Sequence, residues 1–260
     1  MPEQLSERTH RNRARALAFG GVAATYDRAR PSYPTALIDA LVDPAPQRVL
    51  DVGCGTGKAA RLLVERGCDV LGIEPDPSMA AVARGHGITV EEATFEDWDP
   101  LGRVYDLIVS GQAWHWVNPE VGIAKARSVL HPGGHLGVFW NRGRPDGAAA
   151  AALDAVYARI APEIASTNLA LNLPPDPSDR TAEFRQGGFF SDVTLRTFPW
   201  ETVYDRAGWV EFVSTLADHI LLPDAQRRAL LDALGDAVDA VGGSLTYRYS
   251  TLLILATRGM

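Results

Sequence analysis

The chain has 260 residues, 46% of them hydrophobic and 22% charged, with a formal net charge of -7. This composition supplies a sizeable core for one large α/β domain, or for one domain with an insertion. The acidic balance argues against a nucleic-acid surface, and no stretch approaches the roughly 18 apolar residues of a membrane span.

The first fifteen positions carry Arg8, Arg11, Arg13 and Arg15 with no apolar run behind them, which is unlike a secretory signal. Glu3 and Glu7 weigh against an organellar presequence, so this part reads as a solvated leader. Positions 19–34, FGGVAATYDRARPSYP, show no clean periodicity. A helix is expected at 34–42, with Leu37, Ile38 and Leu41 on one face and Pro44 and Pro46 ending it. Residues 1–45 together read as a lead-in and lid.

From about position 48 the pattern alternates, with strands expected at 49–52, 70–74, 89–92, 106–110 and 135–140 and helices at 58–66, 77–85 and 119–130. Alternation of this kind predicts a parallel sheet with helices on both faces. His131-Pro132-Gly133-Gly134 reads as a turn. Beyond Trp140 the expectation is an alanine-rich helix at 147–160, an irregular Pro-rich connection at 169–179, strands at 193–204 and 245–257, and helices at 206–216 and 224–241. The domain reading is a core at 46–203, a helical cap inserted at 204–243 and a final antiparallel strand within 244–260.

The chemistry centres on Asp51-Val52-Gly53-Cys54-Gly55-Thr56-Gly57, where a short buried strand turns into a helix through three glycines. Glycine lets main chain approach a ligand, and open α/β sheets bind ligands at this edge. A dinucleotide G-x-G-x-x-G begun at Gly53 needs glycine where Lys58 stands. A phosphate loop, G-x-x-x-x-G-K-[ST], needs glycine at Val52 and a hydroxyl at Ala59. Glu74 closes the second strand about 20 residues beyond Gly53, the spacing at which an acid meets the two hydroxyls of a ribose. Pro75 follows it, and Met79, one turn into the next helix, suits either an adenine face or the core.

The D-x-G-x-G-x-G stretch resembles the first motif of class I S-adenosylmethionine-dependent methyltransferases. Gln112-Ala113-Trp114-His115-Trp116, together with Tyr26-Asp27-Arg28-Ala29-Arg30-Pro31-Ser32-Tyr33-Pro34, is similar to a small-molecule subgroup that includes trans-aconitate-type methyltransferases. The [DN]-P-P-[YF] signature of nucleobase amino methylation is absent after the fourth strand. The resemblance covers residues 19–142 and implies a Rossmann-like, seven-stranded, mostly parallel sheet with an antiparallel last strand. It implies S-adenosylmethionine as cofactor, held by Asp51, Gly53, Cys54, Gly55, Gly57, Glu74, Pro75, Met79 and Gln112. For the adenine it implies Thr94 and Phe95, with Asp97 as the alternative register.

Arg30 and Tyr26 sit in the lead-in expected to fold over the cofactor. The Arg30 guanidinium is a candidate to meet the methionine carboxylate or an acidic acceptor, with a surface arginine as the alternative, and Tyr26 is a candidate catalytic residue. His115 is the candidate general base, or else a hydrogen-bonding residue. His131 and His135 are split by a Pro-Gly-Gly turn, so no metal site is expected. Trp114, Trp116, Trp140, Trp200 and Trp209 divide between core and pocket wall. The function expected is methyl transfer to an oxygen or nitrogen of a small molecule, with no nucleic-acid or membrane partner. A non-catalytic cofactor-binding regulator and a nucleotide-dependent oxidoreductase are the alternatives. Cys54 and Cys68 make no disulfide framework and fit a reducing cytoplasm.

Overall fold

The computed structural model describes residues 20–43, 45–165, 181–185 and 188–259. The Arg-rich leader and the Pro-rich stretch 169–179 lie outside these residues. The strands are β1 (Arg48–Val52), β2 (Asp69–Ile73), β3 (Thr89–Glu91), β4 (Tyr105–Gly111), β5 (Leu130–Pro145), β6 (Phe190–Asp205) and β7 (Ser244–Arg258). They form one seven-stranded sheet in the order β3-β2-β1-β4-β5-β7-β6. β1 runs parallel to β2 on one side and to β4 on the other, so the strand order reverses beside it and opens a crevice at its carboxyl end. β7 is antiparallel to both β5 and β6, as expected of the last strand.

The helices are α1 (Ala23–Ala29), α2 (Thr35–Leu41), α3 (Lys58–Val64), α4 (Pro77–Gly85), α5 (Pro119–Val129), α6 (Gly147–Ile160), α7 (Pro162–Ala165), α8 (Thr181–Arg185), α9 (Arg206–Ser214), α10 (Ala217–Ile220) and α11 (Asp224–Ala240). Local chemistry sets several starts. Asp76 accepts from the amides of Ser78 and Met79 and Pro77 opens α4. Asn118 and Pro119 repeat the arrangement at α5, and Asp205 caps α9 through the Gly208 amide.

Both faces of the sheet are covered. α2, α3 and α4 pack on one face around Leu37, Val49, Leu63 and Leu107. α5 and an aromatic group of Phe95, Trp98, Trp114 and Phe184 pack on the other. Leu50 and Ile108 are fully buried in the middle, each worth about 1.5–3 kcal/mol in transfer from water. A third core, built on Trp209, Phe212, Tyr247, Leu153 and Tyr157, joins α9 and α11 to α6 and to the outer ends of β6 and β7. The helices that follow β6 therefore share their apolar interior with α6, which comes before β6 in the chain.

Several expectations on boundaries need correction. Positions 131–134 do not form a free turn, because they lie inside β5 as an irregularity opposite Tyr105–Leu107, with Gly133 at φ 78°. β5 and β6 each run 16 residues, well past the expected 135–140 and 193–204, because pairing with β7 carries both out under the cap. The stretch at 19–34, without periodicity, contains the helix α1. Its start has no side-chain cap, and tertiary contacts described below hold it.

Candidate functional site

The crevice is made by the loop that leaves β1. Gly53, Gly55 and Gly57 have φ of 68°, 57° and 83°, where an L side chain costs about 1–2 kcal/mol. At Gly53 space adds to the constraint, since a Cβ there would stand 2.5 Å from the Cβ of Ala113. The amides of Gly53 and Cys54 donate to the Ile73 carbonyl at 2.9 and 3.0 Å, fastening the loop to the end of β2. The Gly55 amide donates instead to Glu74 Oε2 at 2.9 Å.

Two carboxyl groups lie behind this loop. Glu74, just past β2, also accepts from the Asp76 amide at 2.9 Å through Oε1. Burial pushes its carboxyl up to about 7, against the restraint of those two backbone donors. Asp51, on β1, is only 1% exposed, and neither of its oxygens has a hydrogen-bond partner of normal geometry. Burial and the nearby Glu74 charge push Asp51 up to about 7 as well, eased only slightly by the Ala60 amide at the start of α3. A buried acid without a donor is expensive. A cationic or hydroxyl-bearing ligand entering the crevice relieves that cost.

The open crevice has an empty volume of about 490 Å³. The lead-in supplies one wall through Tyr26, Arg30, Pro31 and Tyr33. The Tyr33 hydroxyl lies against Gly111, where a Cβ would meet it at 2.6 Å and the Phe139 ring at 2.6 Å. Gln112, the next residue, is held at φ 59°, a strained position for a non-glycine residue and a frequent mark of functional strand ends. Its amide donates to the Phe139 carbonyl at 2.9 Å and its side chain to the Asn141 carbonyl at 3.2 Å. Lys58 closes the rim, its ammonium pKa lowered by burial.

Of the residues expected from sequence, Tyr26, Arg30, Asp51, Gly53, Cys54, Gly55 and Gln112 meet at this crevice. Glu74 joins them through Gly55, and Pro75 lies between Glu74 and its second donor, Asp76. Gly57 faces Ala83 and Ile88, and Met79 reaches under the loop, its terminal methyl 3.5 Å from where a Gly55 Cβ would stand. The Cys54 sulfur packs against Gly72, and burial pushes its thiol pKa far up.

Thr94 and Phe95 do not line the crevice. The Thr94 hydroxyl is engaged with Asp97, donating to its carboxylate at 2.8 Å and accepting from its amide at 3.2 Å. Phe95 is 3% exposed, its ring packed with Trp98 and Trp114. An aromatic side chain at that position belongs to the core, so only its main chain is available to a ligand.

His115 sits in the 3-10 turn Trp114–Trp116 and does not line the crevice either. The Trp140 indole N–H donates to its Nδ1 at 3.3 Å. A neutral imidazole that accepts at Nδ1 carries its proton on Nε2 and is a donor there, the wrong tautomer for a base at Nε2. Trp114 and Trp209 are fully buried core residues. Both cysteines are free, and among the described residues no cluster of three or more His, Cys, Asp or Glu side chains is arranged to hold a metal. Sequence reasoning passed over Tyr33, Lys58, Gly111 and Asn141 as wall residues. For Tyr33 the signal was present in the lead-in motif. For Asn141 it was hidden, because the residue is set by the length of β5.

With this geometry in view, residues 49–134 match a family model described as a methyltransferase domain. An uncharacterised methyltransferase of Mycobacterium tuberculosis is 43% identical over 134 residues, 48% of this chain and 53% of that protein. The chain thus aligns with about half the length of the first curated relatives it matches. A trans-aconitate 2-methyltransferase of Acidovorax ebreus is 27% identical over 89% of this chain and 94% of its own length. Among solved structures, one from Anaeromyxobacter dehalogenans, assigned as a type II methyltransferase, superposes with a TM-score of 0.65 at 23% identity, covering 88% of this chain and 97% of that one. A phosphoethanolamine N-methyltransferase of Haemonchus contortus, solved with S-adenosyl-L-methionine, superposes at 0.53 with 14% identity, covering 93% of this chain and 57% of that one. At these identities the structural matches speak for the fold.

Proposed function

We propose, from the premise that this chain carries a class I S-adenosylmethionine-dependent methyltransferase domain, that it transfers a methyl group to an oxygen or nitrogen of a small molecule. The observation that carries the reading is the pair of buried carboxyls, Asp51 and Glu74, behind a left-handed glycine loop. Two acids at one loop suit a ligand with an ammonium, a sulfonium and ribose hydroxyls. They oppose the pyrophosphate of a dinucleotide, which disfavours the oxidoreductase alternative on electrostatic grounds.

The residues that fit the cofactor are the loop amides, Glu74 for the ribose hydroxyls and Asp51 for the cationic amino-acid end. When bound, the cofactor supplies an activated methyl group on sulfur that departs as a neutral thioether, so no acid is needed for the leaving group. What the chain contributes is placement and exclusion of water. Tyr26, Arg30 and Tyr33 cover the crevice from the lead-in, and the strained Gln112 fixes the far wall where an acceptor enters. A carboxylate acceptor needs no base.

A small acceptor is supported by the wall that the lead-in adds to the crevice and by the relative named for trans-aconitate. The chain's acidity disfavours nucleic acid. Calorimetry with S-adenosylhomocysteine and with NADH tests the cofactor, and transfer of labelled methyl to a panel of small carboxylates, phenols and amines tests the reaction. Binding of NADH in place of S-adenosylhomocysteine overturns the reading.

A further inference from the structure

α1 holds on to two bodies at once. Toward the core, Asp27 accepts from Arg61 Nη2 on α3 at 3.0 Å, and its other oxygen lies 2.8 Å from Nε2 of His86, at the end of α4. Toward the cap it has two ties of unequal character. Arg28 pairs with Glu211 at 2.6 Å, but both side chains are open to solvent and such a pair holds little. Arg30 uses Nε to donate to Thr215 Oγ1 at 2.9 Å and Nη2 to donate to the Thr215 carbonyl at 2.9 Å.

Thr215 is fully buried at the end of α9, and its hydroxyl donates a hydrogen bond to the Phe212 carbonyl at 2.6 Å. The guanidinium carbon lies 4.9 Å from the centroid of Tyr26, in the crevice wall, and 5.7 Å from that of Phe212, in the cap. Phe212 stacks on Tyr204 with centroids 5.4 Å apart and meets Tyr247 edge-on at 6.1 Å. One side chain thus joins the cover of the crevice to the aromatic interior of the cap. Its planar fork accepts a single arrangement there, which a lysine does not reproduce.

We propose that Arg30 is a positioning residue that makes the lead-in and the cap move as one body, so that filling the crevice steadies α9 through Thr215. The inference rests on the reading of the crevice as the S-adenosylmethionine site.

Backbone hydrogen exchange with and without S-adenosylhomocysteine tests it on the full chain. In the wild-type protein the ligand should slow exchange both at the loop 53–57 and in α9. In Thr215→Val the loop response should remain, while the ligand-induced slowing in α9 falls by about twofold or more. Arg30→Lys is compared at saturating ligand, because Arg30 also lines the crevice. There the slowing in α9 should fall by about twofold or more relative to the loop slowing of the same variant. Arg28→Ala should leave both responses in place. A residue that merely props the fold would lower the melting temperature without uncoupling the two responses. Wild-type-like slowing of α9 in both Arg30→Lys and Thr215→Val overturns the proposal, as does a wild-type loop response with α9 unmoved. No response at the loop, with no heat of binding, overturns the cofactor reading instead.

Discussion

The Gly55 amide donates to the Glu74 carboxylate at 2.9 Å, so the tip of the glycine loop and the acid at the end of β2 are set against each other. Glu74→Ala removes both the proposed ribose acceptor and the brace. It should weaken S-adenosylhomocysteine binding by about 1.5–3 kcal/mol, the scale of hydrogen bonds to a charged group. Glu74→Gln keeps an acceptor and should lose less. Equal affinity of Glu74→Ala and wild type in calorimetry removes Glu74 from the site.

Binding should release protons. In the free protein Asp51 and Glu74 are both pushed up to about 7, so below that pH each is largely protonated. A ligand bearing an ammonium and hydroxyls favours their ionised forms, and affinity should therefore rise with pH until about 7 and then level. Titrations at pH 6 in buffers of different ionisation enthalpy should give buffer-dependent heats, and identical heats would refute the assignment.

The same groups give a stability slope of defined sign. Their folded values lie above the ordinary 3.8 and 4.5, so between about 4 and 7 the folded state binds more protons than the unfolded one. Their contribution makes stability fall as pH rises through that window. Asp51→Asn should flatten this part of the melting-temperature profile relative to wild type.

Asp27 acts in the opposite sense. Burial would raise its pKa, but the His86 hydrogen bond and the charges of Arg61 and Lys58 outweigh burial and lower it. Its contribution is present above its ordinary 3.8 and is lost as pH falls through the folded value. Asp27→Asn should remove that acid-side loss and let α1 exchange faster at neutral pH.

His115 should be an Nε2–H tautomer at neutral pH, as its contact with the Trp140 indole requires. Nitrogen-15 NMR of the imidazole checks this directly, and Trp140→Phe should shift the population toward the other tautomer. His115→Ala should leave S-adenosylhomocysteine affinity within about threefold of wild type, well under 1 kcal/mol.

The sheet strands, the glycine loop and Glu74 were legible because each carries a local signal: a buried run, a spacing, an acid at a strand end. α1 was not, because Asp27 and Arg30 hold it through partners far along the chain, Arg61 and Thr215. The burial of the Phe95 ring was not legible, since its neighbourhood follows the third strand as expected while the ring turns into the core and leaves only the main chain to face a ligand. The sharing of one interior by α6, α9 and α11 left no trace in the sequence either, because amphipathic helices do not announce which neighbours cover them.

The last register pair of β6 with β7 is Asp205 opposite Ser244, so the cap helices leave and rejoin the sheet at adjacent points. In topological terms the cap is the loop of an oversized hairpin. Loop-closure entropy changes by only about 0.6 kcal/mol for each doubling of length. Segments of quite different size can therefore occupy this place while the strand pairing that frames it persists. A graft at this point keeps that frame provided Thr215 stays where Arg30 can reach it and the apolar face that α9 and α11 share with α6 is kept.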